Sequence, residues 1–407
     1  MSNPITIFKN FFIQTLENSL VARALFYSIL SYLCIKLFTS LVLLIGIVQP
    51  IPTIPISDFS REIYLQLEQQ SNFSKYLLSP WYRWDTIHYL EIADFGYDFD
   101  LVNTVWPPLF PFVIKVLGFF IKPSILSAII GSNIFFILGI FLLFILVEEL
   151  FDEKISQNTI FYLLIFPTSF FLIAPYSESL FLTLSVTVFL LIRKKKWLWA
   201  GVISAFAALC RVQGIILVVP IVVELIRDYY KDRNFRYLLT NSLSCIYAPF
   251  AYGIYSLYVY FGLHANWPWE TLSLYWGQRF ALPWEGLYYT ISSLMGYTKI
   301  IDYSPTIVKI LNILLPLFSV YLLFKVRKKI PISFSIYSWI MLFIIICKVD
   351  YNDSLVSVIR YLLTVFPIFI AFAITIKNKY VKLTYATFGV MFHTILLVYY
   401  YWWFWVA

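Results

Sequence analysis

Carboxylates, arginines and aromatic rings come together at five places in this chain of 407 residues. The first is Trp81-Tyr82-Arg83-Trp84-Asp85-Thr86-Ile87-His88-Tyr89-Leu90-Glu91. On a helix Asp85, His88 and Glu91 are spaced i, i+3, i+6 and share a face. A carboxylate walled by indole and phenol rings suits a sugar, whose C–H faces stack on aromatics while the carboxylate takes a proton from a hydroxyl. In that reading Asp85 is the base, His88 tunes it or orients the acceptor, and Arg83, Trp84 and Glu91 bind substrate. The same run also reads as an amphipathic helix at a membrane interface, with Trp and Tyr in the aromatic belt.

The second place is Ala174-Pro175-Tyr176-Ser177-Glu178-Ser179. Glu178 opens a helix, so it is either a capping acid favoured by the helix dipole or a second acid converging on Asp85, with Tyr176 beside it. The third, Arg211-Val212-Gln213-Gly214, interrupts a long apolar run. A guanidinium at membrane depth needs an anion, and either Glu178 or a lipid-linked phosphate supplies one. The fourth is the stretch 263–305, which holds Trp267, Trp269, Trp276, Arg279 and Trp284 and is too rich in Trp and charge for a plain connector. The fifth, Arg360, reads as a phosphate contact or as a snorkelling anchor. No phosphate-cradling glycine loop and no HExxH pair occurs, and Cys34, Cys210, Cys245 and Cys347 lack metal-ligand spacing and read as buried hydrophobes. No metal or cofactor is expected.

The elements that hold these residues follow from composition. Hydrophobic residues are 61% of the chain and charged residues 13%, against roughly 45–50% and 25% in soluble domains. That excludes a soluble enzyme, a disordered chain and a disulfide scaffold. Long continuous apolar runs exclude a barrel, whose strands alternate. What remains is an all-α polytopic membrane protein, a single integral membrane domain over 1–407. Spans of about 20 residues are expected near 22–46, 125–147, 156–173, 177–192, 237–262, 306–324, 332–347, 357–376 and 383–404. The net charge of +8 argues for cytoplasmic loops rather than nucleic acid.

Lys and Arg set the orientation. Clusters at 193–196, 227–236, 325–329 and 377–382 carry half of the 30 basic residues and should be cytoplasmic. Residues 47–105 hold 3 Lys/Arg and 8 Asp/Glu, so this long loop should lie outside, as should 263–305. With both flanks inside, 197–226 must dip and return, as a broken hairpin hinged near Gly214. Residues 107–121, with Pro107, Pro108 and Pro111, are too short to span and read as interfacial or re-entrant. The N-terminus comes out cytoplasmic and the C-terminus outside.

These motifs also resemble a known family. RWDTIHYLEIADFGY (83–97) followed by WPPLFPF (106–112) is similar to the first luminal loop of the GPI mannosyltransferase 2 (PIG-V) family. FPTSFFLIAPYSESLF (166–181) resembles that family's Ser-Ala-Pro-Tyr-Ser-Glu-Ser-Leu-Phe signature. ALCRVQGIIL (208–217) stands where the family has an Arg-Ser-Asn-Gly type sequence, with Val212 and Gln213 departing from it. SVIRYLLTVFPIF (357–369) resembles its C-terminal Pro-Arg-Phe…Phe-Pro pattern, with Ile359 where Pro is usual. The resemblance covers most of residues 80–370. It implies a GT-C-like helical bundle with re-entrant or broken helices and a large first extracytoplasmic loop. It also implies a glycosyltransferase that takes a sugar, mannose in the family, from a polyprenyl-phosphate donor to a lipid or glycan acceptor. Asp85 matches the family's acidic residue in the first outer loop. Arg211, Gln213, Arg360, Arg279 and Trp276 are the expected substrate-binding residues. The implied location is a bacterial plasma membrane or, in a eukaryote, the endoplasmic reticulum. A transporter or flippase for a lipid-linked sugar is the competing expectation; it would spread polar groups through the bilayer midplane instead of gathering them at one outer face.

Overall fold

Helices of very different lengths, most of them apolar, make up most of the described residues. The computed structural model describes residues 19–46, 57–297, 304–350 and 355–406. Parts of both expected outer loops, 47–56 and 298–303, lie outside the described residues. Four helices are long and apolar enough to cross a membrane: α1 (Leu20–Gly46), α5 (Ser124–Leu150), α14 (Thr306–Val326) and α18 (Lys379–Tyr401). At 1.5 Å per residue the 27 residues of α1 and of α5 reach about 40 Å. α1 leaves Val21, Leu25, Ile29, Leu33, Leu37 and Leu41 exposed, a stripe of period four. Lipid is the solvent such a face requires. Cys34 is also exposed on α1, so it is not the buried hydrophobe its run implied, whereas Cys210 and Cys347 are buried. The fold is an all-α polytopic membrane protein; two three-residue strands are the described exceptions.

Several expected spans are broken rather than continuous. The 156–173 span is a helix only over Glu153–Leu164 (α6), followed by an irregular stretch through Ser177. Pro167 and Pro175 explain the break, since a prolyl nitrogen cannot donate and the residue before it leaves the helical region. This irregular stretch is buried, so its backbone must be satisfied internally. Ser169 Oγ donates to Leu164 O (2.6 Å), Thr168 Oγ1 to Ile359 O (2.9 Å), and Ser132 Oγ to Tyr176 O (3.2 Å). The 237–262 span divides into α10 (Phe235–Ser242) and α11 (Tyr247–Leu257), because Pro249 has no N–H for the carbonyl one turn back. The 357–376 span divides into α16 (Val358–Leu362) and α17 (Pro367–Thr375), with Pro367 opening the second piece. α4 (Leu109–Leu117) has nine residues and does not cross.

The hairpin expected over 197–226 is present. α8 (Trp197–Cys210) runs into an extended Arg211, a 3₁₀ turn over Val212–Leu217, and α9 (Val218–Asp232) returns. A Cβ on Gly214 would lie 2.2 Å from the Ala207 carbonyl carbon, so only glycine lets the turn fold back onto α8. Lys195 closes the mouth of the hairpin by pairing with Asp228 at 2.8 Å.

These connections give the bundle two chemically different ends. α7 (Glu178–Arg193) starts at Glu178 and finishes in the basic cluster. The start of α1 meets the end of α5, where Arg23 pairs with Glu148. Lys382, near the start of α18, donates to Asn158 of α6 at 2.5 Å, and Ser333 of α15 (Ile332–Ile346) donates to Glu224 of α9 at 2.6 Å. All four basic clusters therefore lie at the end reached by α1's first residues. The opposite end holds α3 (Asp85–Phe95), Glu178, Arg211, Arg360 and the last residues of α18. One contiguous apolar cluster from Ala24 to Val406 joins the two ends.

Candidate active site

Asp85 and Arg360 each sit in the first turn of a short helix launched from a residue with positive φ. Trp84, ahead of Asp85, has φ 49° and ψ −124°; Ser357, ahead of Arg360, has φ 61°. For non-glycine residues such backbones cost on the order of 1–3 kcal/mol and persist only where the surroundings impose them. Trp84 is wedged edge-on between Trp403 and Trp405, with ring centres 5.9 and 4.9 Å away. The turn aims the Asp85 carboxylate at Arg360, whose Nη2 donates to Asp85 Oδ2 at 2.5 Å.

Four charges form one chain. Arg360 Nε donates to Glu178 Oε1 (2.7 Å), and Arg211 Nη1 donates to the same oxygen (2.6 Å) and to Ser177 Oγ (3.1 Å). Glu178 is 0% exposed and its Oε2 has no partner among the described residues. It is neither a simple capping acid nor a wall residue; it sits behind two guanidinium groups and fixes their spacing. Arg360 also lies over the rings of Phe171 and Tyr176, at 5.3 and 5.0 Å. A buried carboxylate is tolerable only with such partners. Burial alone would push the Asp85 carboxyl up, but the Arg360 charge and hydrogen bond outweigh it and hold it below the usual range.

Asp85, Arg211 and Arg360 open onto a cavity of about 580 Å³. Gln213, Trp276 and Arg279 also line it, so six of the expected site residues meet there. A two-stranded ribbon supplies one wall. β1 (Gln278–Phe280) follows α12 (Pro268–Trp276) and pairs antiparallel with β2 (Lys348–Asp350), setting Phe280 opposite Lys348. Arg279 is braced by Glu285 at 2.9 Å. Trp106, Trp269 and Trp276 give the aromatic wall, and Val212, Ile215, Ile216 and Ile344 an apolar one.

The other expected residues do not reach this cavity. Arg83 is fully buried and donates to the carbonyls of Ser79, Tyr82 and Tyr401. It is stacked among Tyr64, Tyr401 and Trp403, so it ties the C-terminal segment to the Asp85 turn. His88 donates from Nδ1 to Asn103 Oδ1 (2.8 Å) and stacks on Trp106 at 4.1 Å. Glu91 accepts from Asn103 (3.0 Å) and Ser60 (3.2 Å). His88 backs the Trp106 wall, and Glu91 holds the Asn103 amide that in turn holds His88. Tyr176 is buried, its hydroxyl on Arg83 O at 3.3 Å. Trp84 stays behind Asp85. Sequence reasoning missed Lys348 and Tyr361, which line the cavity with Lys348 Nζ 2.6 Å from the Tyr361 hydroxyl. The only hint was a lysine at the end of an apolar run.

The family model for mannosyltransferase (PIG-V) matches residues 24–275. It begins ahead of the expected 80–370 stretch and stops short of the 357–369 motif. GPI mannosyltransferase 2 of Schizosaccharomyces pombe is 27% identical over 198 residues, which is 46% of this chain and 42% of that protein; the chain thus matches less than half of that relative's length. The family match covers well over half of the chain and encloses Asp85, Glu178 and Arg211, and on that extent the chain belongs to the mannosyltransferase (PIG-V) family.

Proposed function

We propose that this protein transfers a sugar, mannose by its family, from a polyprenyl-phosphate donor to a hydroxyl of a lipid or glycan acceptor, with inversion, at the extracytoplasmic face. The observation that carries the reading is one carboxylate, Asp85, sharing a cavity wall with Arg211 and Arg360 at the end of the bundle opposite the basic clusters. Asp85 Oδ1 has no partner among the described residues and takes the acceptor's proton. The acceptor oxygen bonds to the anomeric carbon as the bond to phosphate breaks, and the electron pair leaves on the phosphate oxygen. Phosphate is a good leaving group, so it needs positive charge rather than a general acid. Arg211 and Arg360 supply that charge. The apolar wall of Val212, Ile215, Ile216 and Ile344 suits a prenyl chain still held in the bilayer. A transporter reading lacks this support, because the charged residues that line the cavity gather at one end of the bundle.

The test is Asp85→Asn, assayed in membranes with radiolabelled polyprenyl-phosphate mannose and identification of the product. Losing a general base costs about 10²–10⁴-fold, with expression and melting behaviour close to wild type. Near-normal transfer by the variant would remove Asp85 from this role.

A further inference from the structure

We infer that Lys348 and Tyr361, together with Arg211, form a phosphate-ester subsite in the same cavity, beside the Arg360–Asp85 pair. The inference rests on the transfer reading and extends it to two residues beyond the family match: Lys348, outside the quoted motifs, and Tyr361, beside Arg360 in the last of them. Lys348 is positioned by backbone rather than by an acid: the β1–β2 pairing holds it opposite Phe280, and Ala281 N–H donates to Cys347 O at 2.8 Å. No carboxylate lies within ion-pair distance of it among the described residues. Its ammonium donates to the Tyr361 hydroxyl at 2.6 Å. With its oxygen occupied as acceptor, that hydroxyl has its proton left to give.

The Tyr361 ring gathers three cations. Lys348 Nζ lies 4.5 Å from the ring centre, the Arg211 guanidinium 5.0 Å and the Arg360 guanidinium 5.6 Å. The ring quadrupole attracts each of them, but they repel one another. Glu178 offsets the two arginines from behind, while nothing described offsets Lys348. A tetrahedral oxyanion entering the cavity supplies the missing charge. It accepts from the Lys348 ammonium and the Tyr361 hydroxyl on one side and from Arg211 on the other, which are charge-assisted bonds. Such an anion is either the donor's phosphate or a phosphate on a lipid acceptor; the chemistry is the same.

The experiment compares wild type, Lys348→Gln, Lys348→Arg and Tyr361→Phe in lipid nanodiscs. Each is assayed for mannosyl transfer with donor and acceptor varied separately, and for thermal stabilisation by polyprenyl monophosphate. Loss of one charge-assisted bond raises one KM about tenfold or more in Lys348→Gln, with kcat within about twofold, and Lys348→Arg restores most of it. Tyr361→Phe keeps the ring, and its rise in the same KM is smaller. A rise in donor KM assigns the subsite to the donor phosphate; a rise in acceptor KM assigns it to the acceptor. Active variants with both KM values unchanged overturn the subsite and leave the transfer reading standing. A wild type that transfers nothing, yet is stabilised by polyprenyl monophosphate only when Lys348 is present, overturns the transfer reading and keeps the subsite.

Discussion

Asp85 carries a pH signature that Arg360 imposes on it. The carboxyl is held below its ordinary value of 3.8 because the guanidinium outweighs the penalty of burial. A depressed acid contributes stability that is present above its unfolded-state pKa and lost as pH falls through the folded value. Asp85 therefore stays ionised through the neutral range, and the acid limb of kcat/KM lies below about pH 4. Arg360→Gln removes the cation and leaves the burial. The limb then moves up towards neutral pH, even as the rate falls. A pH profile of both proteins checks this, and an unmoved limb means that Arg360 does not set Asp85. At this scale the sequence was readable where charge stands out: Arg211 and Arg360 are each alone in apolar runs, and Asp85 heads a helix with His88 and Glu91 at i+3 and i+6. It misplaced Arg83, because adjacency to Asp85 says nothing about which way a strained turn points a side chain. It missed Tyr361 because one tyrosine among 31 acquires meaning only when a strand pairing brings Lys348 to it.

The elements that present these groups are short, and their breaks are where function gathers. Arg211 follows the end of α8, Glu178 follows the irregular 165–177 stretch, and Arg360 lies in the five-residue fragment α16, just ahead of the 363–366 break. The hairpin over 197–226 was legible because two basic flanks forced an even number of crossings. The breaks at 165–177 and 363–366 were not, since an apolar run looks the same whether it is a helix or a packed irregular strand of backbone. Gly214 is the element-scale test. Its α8 contact leaves no room for a methyl group, so Gly214→Ala should destabilise by about 1–3 kcal/mol or more. Gly253, within α11, has nothing within 4 Å of an added Cβ, so Gly253→Ala should be neutral or gain about 0.5–1 kcal/mol of helix propensity. Melting temperatures in one detergent compare the two, and equal losses would show that helix chemistry, not the Ala207 contact, decides.

For the whole molecule, the ends of the bundle carry the topological argument. Arg83 donates to Tyr401 O at 3.2 Å, and Trp405 lines the cavity, so the chain's last helix finishes beside Asp85. The same helix begins at Lys379, and its Lys382 donates to Asn158 of α6, among the basic clusters. A fixed fold thus ties the C-terminal end and the 85–105 segment to one face and the 193–196 turn to the other, whichever way the protein is inserted. From the excess of Lys and Arg the 193–196 face is expected to be cytoplasmic. Three accessibility tags separate these statements: one after the last residue, one between Asp98 and Asp100, and one within Lys194–Lys196. The first two should report the same, non-cytoplasmic side and the third the cytoplasm. Disagreement between the first two would break the fold's own geometry. Agreement with both in the cytoplasm would keep the fold but place Asp85 on the face where a soluble nucleotide sugar could serve as donor, and the lipid-linked donor would lose its reason.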